Sequence, residues 1–263
     1  MLRQRVLSAT VFIPVIFVAI WFGNPWYSLI IATAAILGVT EFYNMVALRK
    51  WHPLTLLGAL WTLFFILNAH STSPETTPML VTSALVLSLL LFLFLRPTAE
   101  RAFKSWTWFL AGMLYLGWLF SYWVLLGDYG REWVFFALFS TFAFDTASYF
   151  VGRTWGKHKL ALSISPGKTW EGVAGGVVGA MAAAIILDLI FGLDVSYGHL
   201  LLLGFLVAVF AQFGDLAESA IKRNAKVKDA GSIIPGHGGI LDRLDSILFT
   251  GVVVYYYLRW ILG

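Results

Sequence analysis

Apolar runs of about 20 residues follow one another along this chain, and they constrain the fold more than any other feature of the sequence. A helix needs roughly 20 mostly apolar residues to cross a bilayer, with about 17 to 25 tolerated. The runs therefore predict about nine membrane-spanning helices, at about 6–22, 26–47, 54–69, 78–95, 105–126, 133–152, 171–191, 199–221 and 244–262.

The composition agrees with a membrane protein. Only 12% of the 263 residues are charged and 59% are hydrophobic, whereas a soluble domain carries about a quarter charged residues. A core that hides this much apolar surface from water does not exist at this length. We predict an all-α, polytopic integral membrane protein. With no cysteine, disulfides and thiolate metal sites are excluded.

The basic residues predict how the helices are oriented. If the connections alternate between the two sides, 16 of the 18 Lys and Arg residues fall on one side, and only Arg131 and Arg259 on the other. Positive residues mark the cytoplasmic side, so we predict a multi-pass protein of the cell inner membrane with a cytoplasmic N-terminus. The net charge of +4 then reports topology, and we expect no nucleic-acid partner.

The chain is predicted to have two regions. Residues 1–130 supply about five spans, and residues 131–263 form a catalytic region of about four spans with cytoplasmic loops at 153–170 and 222–243. Most acidic residues within spans lie in the second region. Such residues are costly in a bilayer and usually mark a site.

The stretch "FGDLAESAIKR" places four polar residues on one helix face. Asp215, Glu218, Ser219 and Lys222 follow the i, i+3, i+4, i+7 spacing. A Glu218–Lys222 ion pair explains two of them structurally, but it leaves Asp215 without a partner. We therefore favour a functional site.

Two more acids, Asp242 and Asp245, begin the last predicted helix in "LDRLDS". A helix N-terminus also favours carboxylates, so either one has a capping role as an alternative. Together with Asp215 they offer the hard oxygen ligands that suit Mg²⁺, which binds through one or two carboxylates plus substrate phosphates.

A glycine-rich loop, "KDAGSIIPGHGGI", joins these helices. Gly238 and Gly239 allow a close approach to a ligand, and free N–H groups before a helix can bind an anion. Lys222, Arg223 and Lys228 add charge for a polyphosphate. The alternative is a flexible turn with cytoplasmic lysines.

A second motif, "SISPGKTWEGVAGG", is not a Walker A motif, because Leu162 stands where that motif needs glycine. Ser165, Lys168 and Thr169 can still meet a phosphate at the first turn of a helix. The glycines that follow predict close helix packing through small residues.

The sequence does not assign a single role to three other acids within the predicted spans. Asp145 is either a further metal ligand or a partner for Lys168, and we favour a structural or interfacial role for Glu41 and Asp188.

The segment from Ser219 to Asp245, S-x-I-K-R-x4-K-D-x-G-x2-I-P-x-H-G-G-I-x-D-R-L-D, resembles the signature of the phosphatidate cytidylyltransferase (CDP-diacylglycerol synthase) family. "SPGKTWEG" and "GDLAESAIKR" are also similar to that family. The resemblance implies a membrane enzyme that makes CDP-diacylglycerol and pyrophosphate from CTP and phosphatidic acid with Mg²⁺. It further implies a metal centre near Asp215 and Asp242, a monovalent cation such as K⁺, and a homodimer.

With that resemblance, each candidate residue receives a hypothetical role. Asp215, Lys222 and Asp245 are the catalytic candidates, and Asp215, Asp242 and Asp245 are the metal-ligand candidates. The substrate-binding candidates are Ser165, Lys168, Thr169, Arg223, Lys228, His237, Gly238, Gly239 and Arg243. Two other functions remain open: a CTP-dependent lipid kinase and, in a different class, an ion-coupled transporter.

Overall fold

The computed structural model describes residues 2–46, 52–71, 73, 75–95, 98–234 and 238–263. The apolar runs form helices because a bilayer offers the backbone no hydrogen-bond partners, and a helix satisfies its own N–H and C=O groups. The α-helices are α1 (Leu2–Phe22), α2 (Trp26–Met45), α3 (His52–Asn68), α4 (Thr76–Leu95), α5 (Ala99–Met113), α6 (Leu119–Gly127), α7 (Arg131–Trp155), α8 (Trp170–Phe191), α9 (Tyr197–Asn224) and α10 (Leu241–Tyr257).

Three smaller elements complete the description. A π-helical turn at Leu114–Trp118 joins α5 to α6, and a second one at Leu258–Leu262 follows α10. Strands β1 (Lys159–Ala161) and β2 (Ser165–Thr169) pair in an antiparallel hairpin between α7 and α8.

Each predicted span falls on a helix, and the fifth is α5 and α6 joined by the π-helical turn. Within the described residues, six helical segments are long and apolar enough to cross a membrane: Trp26–Met45, Thr76–Phe94, Ala102–Gly127, Arg131–Trp155, Trp170–Phe191 and Tyr197–Asn224. Phe12–Phe22 and Leu54–Asn68 are shorter apolar helices. The all-α, multi-pass membrane fold is confirmed, while the number of nine spans stays a prediction.

The chain divides into two compact units, the first of which comprises residues 1–125 and 229–242. In this unit, Tyr43 fixes α2 against α3 and α5. Its ring stacks on that of Phe109 at a centroid distance of 5.7 Å, and its hydroxyl donates to the Phe109 carbonyl oxygen at 2.8 Å. Gly58 and Gly112 make room for the ring, since a Cβ at either position would collide with it. Tyr43 is therefore fully enclosed.

The second unit comprises residues 126–228 and 243–263. Helices α7 and α8 pack closely in it because α8 presents glycines to α7. A Cβ at Gly176 would stand 2.6 Å from the Phe144 ring, and one at Gly179 would stand 2.6 Å from the Cβ of Ala147. The predicted packing through small residues is confirmed.

The segment 153–170, predicted as a loop, has more structure than the sequence indicated. Helix α7 continues to Trp155 and the β-hairpin occupies residues 159–169. Lys168 therefore lies on β2 and not in the first turn of a helix. The Thr169 hydroxyl oxygen accepts from the Gly172 N–H at 3.2 Å and caps α8. Strands this short have no periodicity that a sequence pattern reveals.

Candidate active site

The polar face of α9 contains an ion pair within the helix. Lys222 Nζ lies 2.5 Å from Glu218 Oε2, and the Glu218 side chain is fully buried. The structural alternative considered for these two residues is thus present. Asp215, one turn earlier, has different partners: Ser219 Oγ donates to its Oδ1 at 3.3 Å, and Lys168 Nζ forms an ion pair with its Oδ2.

Three helices of the second unit bring their carboxylates together. Asp145 of α7 and Asp245 of α10 each lie close enough to Asp215 of α9 for their negative charges to interact. Ser246 links two of them, since its hydroxyl donates to Asp145 Oδ1 at 3.3 Å and its backbone N–H donates to Asp245 Oδ1 at 2.8 Å. We call Asp145, Asp215 and Asp245 the carboxylate cluster.

The cluster exists because α9 and α10 approach closely. Gly214 lies directly against the backbone carbonyl of Asp245, and a Cβ there would also stand 3.0 Å from the Phe249 ring. Only glycine allows the two backbones this proximity. The residue before Asp215 therefore determines how near Asp215 comes to Asp245.

The β-hairpin brings a positive charge to the carboxylate cluster. Lys168 pairs with Asp215, and its charge also reaches Asp145 and Asp245. The sequence left open whether Asp145 is the partner of Lys168, and the structure shows Asp215 in that position. Ser165 begins β2, opposite Ala161.

Arg223 of α9 links the hairpin to α9 by donating hydrogen bonds to backbone carbonyl oxygens. Its Nε donates to the Ile164 carbonyl at 3.2 Å, and its Nη1 donates to the Val227 carbonyl at 3.3 Å. Two of its donors are thus already used, so its predicted phosphate contact stays a prediction. Lys228 and Arg243 are exposed, and their predicted roles in substrate binding also stay predictions.

Asp242 belongs to the first unit, where its oxygens bind backbone amides. Oδ2 accepts from the N–H of Gly239 at 2.9 Å and from that of Ala230 at 3.0 Å. Both N–H groups belong to the loop before α10 and not to its first turn, so these bonds fix the loop backbone. The capping alternative and the role of Asp242 as a metal ligand both stay predictions.

The glycine loop also has fewer free N–H groups than the sequence suggested. The N–H groups of Ala230 and Gly239 bind Asp242, and that of Ile234 donates to the Gly238 carbonyl at 2.9 Å. Gly238 has a φ of +87°, a conformation that favours glycine. His237 lies outside the described residues. The phosphate cradle stays a prediction for the remaining groups.

Glu41 is a buried acid with the structural role that the sequence favoured, although the sequence did not identify its partner. Its Oε2 accepts from the N–H of Leu241 at 2.9 Å, and only 3% of the residue is exposed. A lone acid late in an apolar helix was the available signal, but nothing in the sequence names a partner 200 residues away. For Asp188 the structural interpretation is confirmed, because its Oδ1 accepts from the Leu193 N–H at 3.1 Å just beyond the end of α8.

Comparison with known proteins identifies the family. The model of the cytidylyltransferase family matches residues 3–261. This chain belongs to the cytidylyltransferase family. A phosphatidate cytidylyltransferase of Bacillus subtilis (strain 168) is 34% identical over 262 residues, which cover 98% of this chain and 97% of that protein. One of Haemophilus influenzae is 33% identical over 97% of both chains, and one of Synechocystis is 33% identical over 97% of this chain and 95% of the other.

The family resemblance noted from the sequence is therefore confirmed across nearly the whole length of the chain. The structure brings together Asp215, Asp245 and Lys168 from the predicted set and adds Asp145, which the sequence left open. It also adds Ser246, which the sequence analysis missed. Serine is common in membrane helices, so no pattern distinguishes this one.

Proposed function

We propose that this chain transfers the cytidylyl group of CTP to phosphatidic acid, giving CDP-diacylglycerol and pyrophosphate. Membership of the cytidylyltransferase family supports this proposal, as do the phosphatidate cytidylyltransferases that match it nearly end to end. The single structural observation behind it is the carboxylate cluster beside Lys168. Three acids and a lysine gathered between membrane helices suit a charged substrate.

The carboxylates near the cluster outnumber the ammonium groups. Asp145, Asp215, Asp245 and Glu218 supply four carboxylates, against the two ammonium groups of Lys168 and Lys222. The formal excess of two negative charges equals the charge of one divalent cation. Acids that repel one another in apolar surroundings are costly unless a cation or a donor neutralises them.

These donors fit Mg²⁺. Among the described residues, no group of three or more His, Asp or Glu side chains could hold a metal ion, but Mg²⁺ uses one or two carboxylates and completes its shell with water and phosphate oxygens. We propose Asp215 and Asp245 as the carboxylates that would hold it, with K⁺ as the second ion that the resemblance implies. A Mg²⁺ ion held there would neutralise charge on the triphosphate.

The reaction requires little covalent chemistry from the protein. A phosphate oxygen of phosphatidic acid attacks the α-phosphorus of CTP, and the bond from that phosphorus to the bridging β-phosphate oxygen breaks. The electron pair leaves with pyrophosphate. The attacking phosphate is already anionic, so catalysis depends on positioning and on stabilising charge. Lys168 and Lys222 supply positive charge for the phosphoryl oxygens, and Asp215 orients Lys168.

The membrane arrangement is also part of the proposal. The distribution of Lys and Arg supports nine spans, a cytoplasmic N-terminus in the inner membrane, and an active site on the cytoplasmic side, where CTP is available. A lipid substrate then enters from the bilayer between helices. The homodimer implied by the resemblance stays a prediction.

The test is a product analysis with purified protein, phosphatidic acid and CTP labelled on the α-phosphate. We expect the label in CDP-diacylglycerol, equimolar unlabelled pyrophosphate, and loss of turnover when EDTA removes Mg²⁺. Release of CDP would instead indicate the lipid kinase. Absence of any CTP consumption, with ion flux in liposomes, would indicate the transporter.

A further inference from the structure

Glu41 is the most enclosed acid of the first unit. It lies in α2, is 3% exposed, and uses one oxygen, Oε2, to accept from the N–H of Leu241, the first residue of α10. Its Oε1 has no hydrogen-bond partner among the described residues. A buried carboxylate is costly unless polar groups stabilise it, and besides the Leu241 N–H the backbone amides of Ile240 and Ile233 act on this one.

The loop between α9 and α10 is shaped to fit this carboxylate. Its two described arms, 229–234 and 238–240, both pass Glu41 at a glycine. A Cβ at Gly239 would stand 2.5 Å from Glu41 Oε2, and a Cβ at Gly231 would collide with Oε1. The Glu41 side chain therefore lies against the backbone of both arms, and larger residues would push them away.

Glu41 is itself held firmly. Tyr43, two residues further along α2, is enclosed between Gly58 and Gly112 and bonded to the Phe109 carbonyl. The end of α2 therefore cannot shift without disturbing α3 and α5. The packing of α2 therefore limits movement of Glu41, and the two loop arms pack against a side chain in a defined position.

We propose that Glu41 is a positioning residue, which seats the glycine loop and the first turn of α10 by accepting the Leu241 N–H. The effect of this seat on CTP turnover rests on the proposed function above. The seat itself is a property of the fold and can be tested without turnover.

Two substitutions of nearly equal shape separate hydrogen bonding from packing. Glu41→Met fills the space but leaves the buried Leu241 N–H without an acceptor, whereas Glu41→Gln retains a carbonyl oxygen for it. The control is Glu100→Met, the same change at an exposed acid in the first turn of α5. All three are purified as full chains in lipid nanodiscs.

The first measurement is hydrogen exchange of peptides that cover 238–245. We expect roughly tenfold faster exchange at Leu241 in Glu41→Met, and exchange within about twofold of wild type in Glu41→Gln and Glu100→Met. Wild-type exchange in Glu41→Met would overturn the proposal, and so would equal acceleration in the Met and Gln variants.

The second measurement approaches the contact from the loop side. Gly231→Ala places a methyl group against the Glu41 side chain, to which the three atoms nearest to that methyl all belong. We expect it to accelerate the same peptides, with no further acceleration when it is combined with Glu41→Met. Additive effects would show two independent causes and contradict the proposal. If Glu41→Met does not fold, Gly231→Ala alone decides, and wild-type exchange in that variant would overturn the proposal.

Steady-state kinetics test whether the contact between Glu41 and the glycine loop affects CTP turnover. We expect Glu41→Met to raise the KM for CTP about tenfold, with the KM for phosphatidic acid unchanged and rescue by Glu41→Gln. If the wild type transfers no cytidylyl group, the proposed function fails while the exchange experiment still tests Glu41. If the wild type is active and the exchange effects are present but KM for CTP does not change, the loop is seated by Glu41 without serving CTP.

Discussion

Two groups of acidic side chains, one in each unit, bind different kinds of partner. In the first unit, Glu41 and Asp242 accept from backbone N–H groups of the 229–242 segment. In the second unit, Asp145, Asp215 and Asp245 face one another and the ammonium group of Lys168.

This difference separates two uses of an acid in a membrane protein. A carboxylate bonded to N–H groups fixes the backbone, and its removal leaves buried donors without acceptors. Carboxylates that face one another repel, and they hold a formal negative charge that a bound cation or a charged substrate can use. The first unit thus uses its acids to position a loop, and we assign the chemistry to the acids of the second.

The comparison predicts the largest effect for Asp215. Asp215→Asn keeps the size of the side chain but removes its charge from the centre of the cluster, so we expect CDP-diacylglycerol formation to fall about 100-fold or more. Thermal unfolding of the purified variant should be close to that of wild type. Near-normal turnover with Mg²⁺ would refute the assignment of Asp215 as a metal ligand.

The next effect concerns the lysine on the hairpin. Lys168→Met removes the ion-pair partner of Asp215, and we expect kcat to fall about 10- to 100-fold, because both the phosphoryl charge and Asp215 lose a positive neighbour. Lys168→Arg is the matched control, and it should retain more activity than the Met variant. Equal losses in both variants would show that shape, and not charge, is what β2 provides.

How much of this could be read from the sequence depends on the range of each interaction. The apolar runs predicted every helix because lipid imposes one local solution on the backbone. Asp215, Glu218 and Lys222 were placed on one face because helical spacing is local as well. The hairpin that delivers Lys168 was missed, since strands of three and five residues carry no readable period.

Long-range partners were out of reach for a different reason. Glu41 meets Leu241 across 200 residues, and Asp145 meets Ser246 across 101. Glu41 and Asp145 stand out as acids in apolar helices, but nothing in their own segments identifies Leu241 or Ser246 as a partner, and packing alone brings each pair together. The sequence therefore predicted some residues of the carboxylate cluster, but it could not predict the contact between Glu41 and the N–H of Leu241.

A smaller effect, on stability, is expected for Asp242. Asp242→Asn keeps one oxygen but turns an amide group toward the N–H groups of Ala230 and Gly239, so we expect the free energy of unfolding to fall by about 1–3 kcal/mol. Asp245→Asn, three residues later on the same helix, should instead reduce turnover and leave stability nearly unchanged. Calorimetry and activity assays on both variants test this contrast. If Asp242→Asn lost turnover but unfolded with the same free energy as wild type, the result would indicate that Asp242 is a metal ligand.

The smallest effect is expected where the hairpin is held by backbone contacts alone. Arg223→Met removes the bonds to the carbonyls of Ile164 and Val227. Because these contacts are exposed, we expect kcat/KM to fall by only about two- to fivefold. Hydrogen exchange in 159–169 should accelerate in parallel, since the hairpin loses its attachment to α9. Arg153→Met is the control, because this exposed arginine donates to the Tyr149 hydroxyl at 2.9 Å, within α7. A loss as large as that of Lys168→Met, with unchanged exchange, would show that Arg223 binds substrate directly, as the sequence predicted.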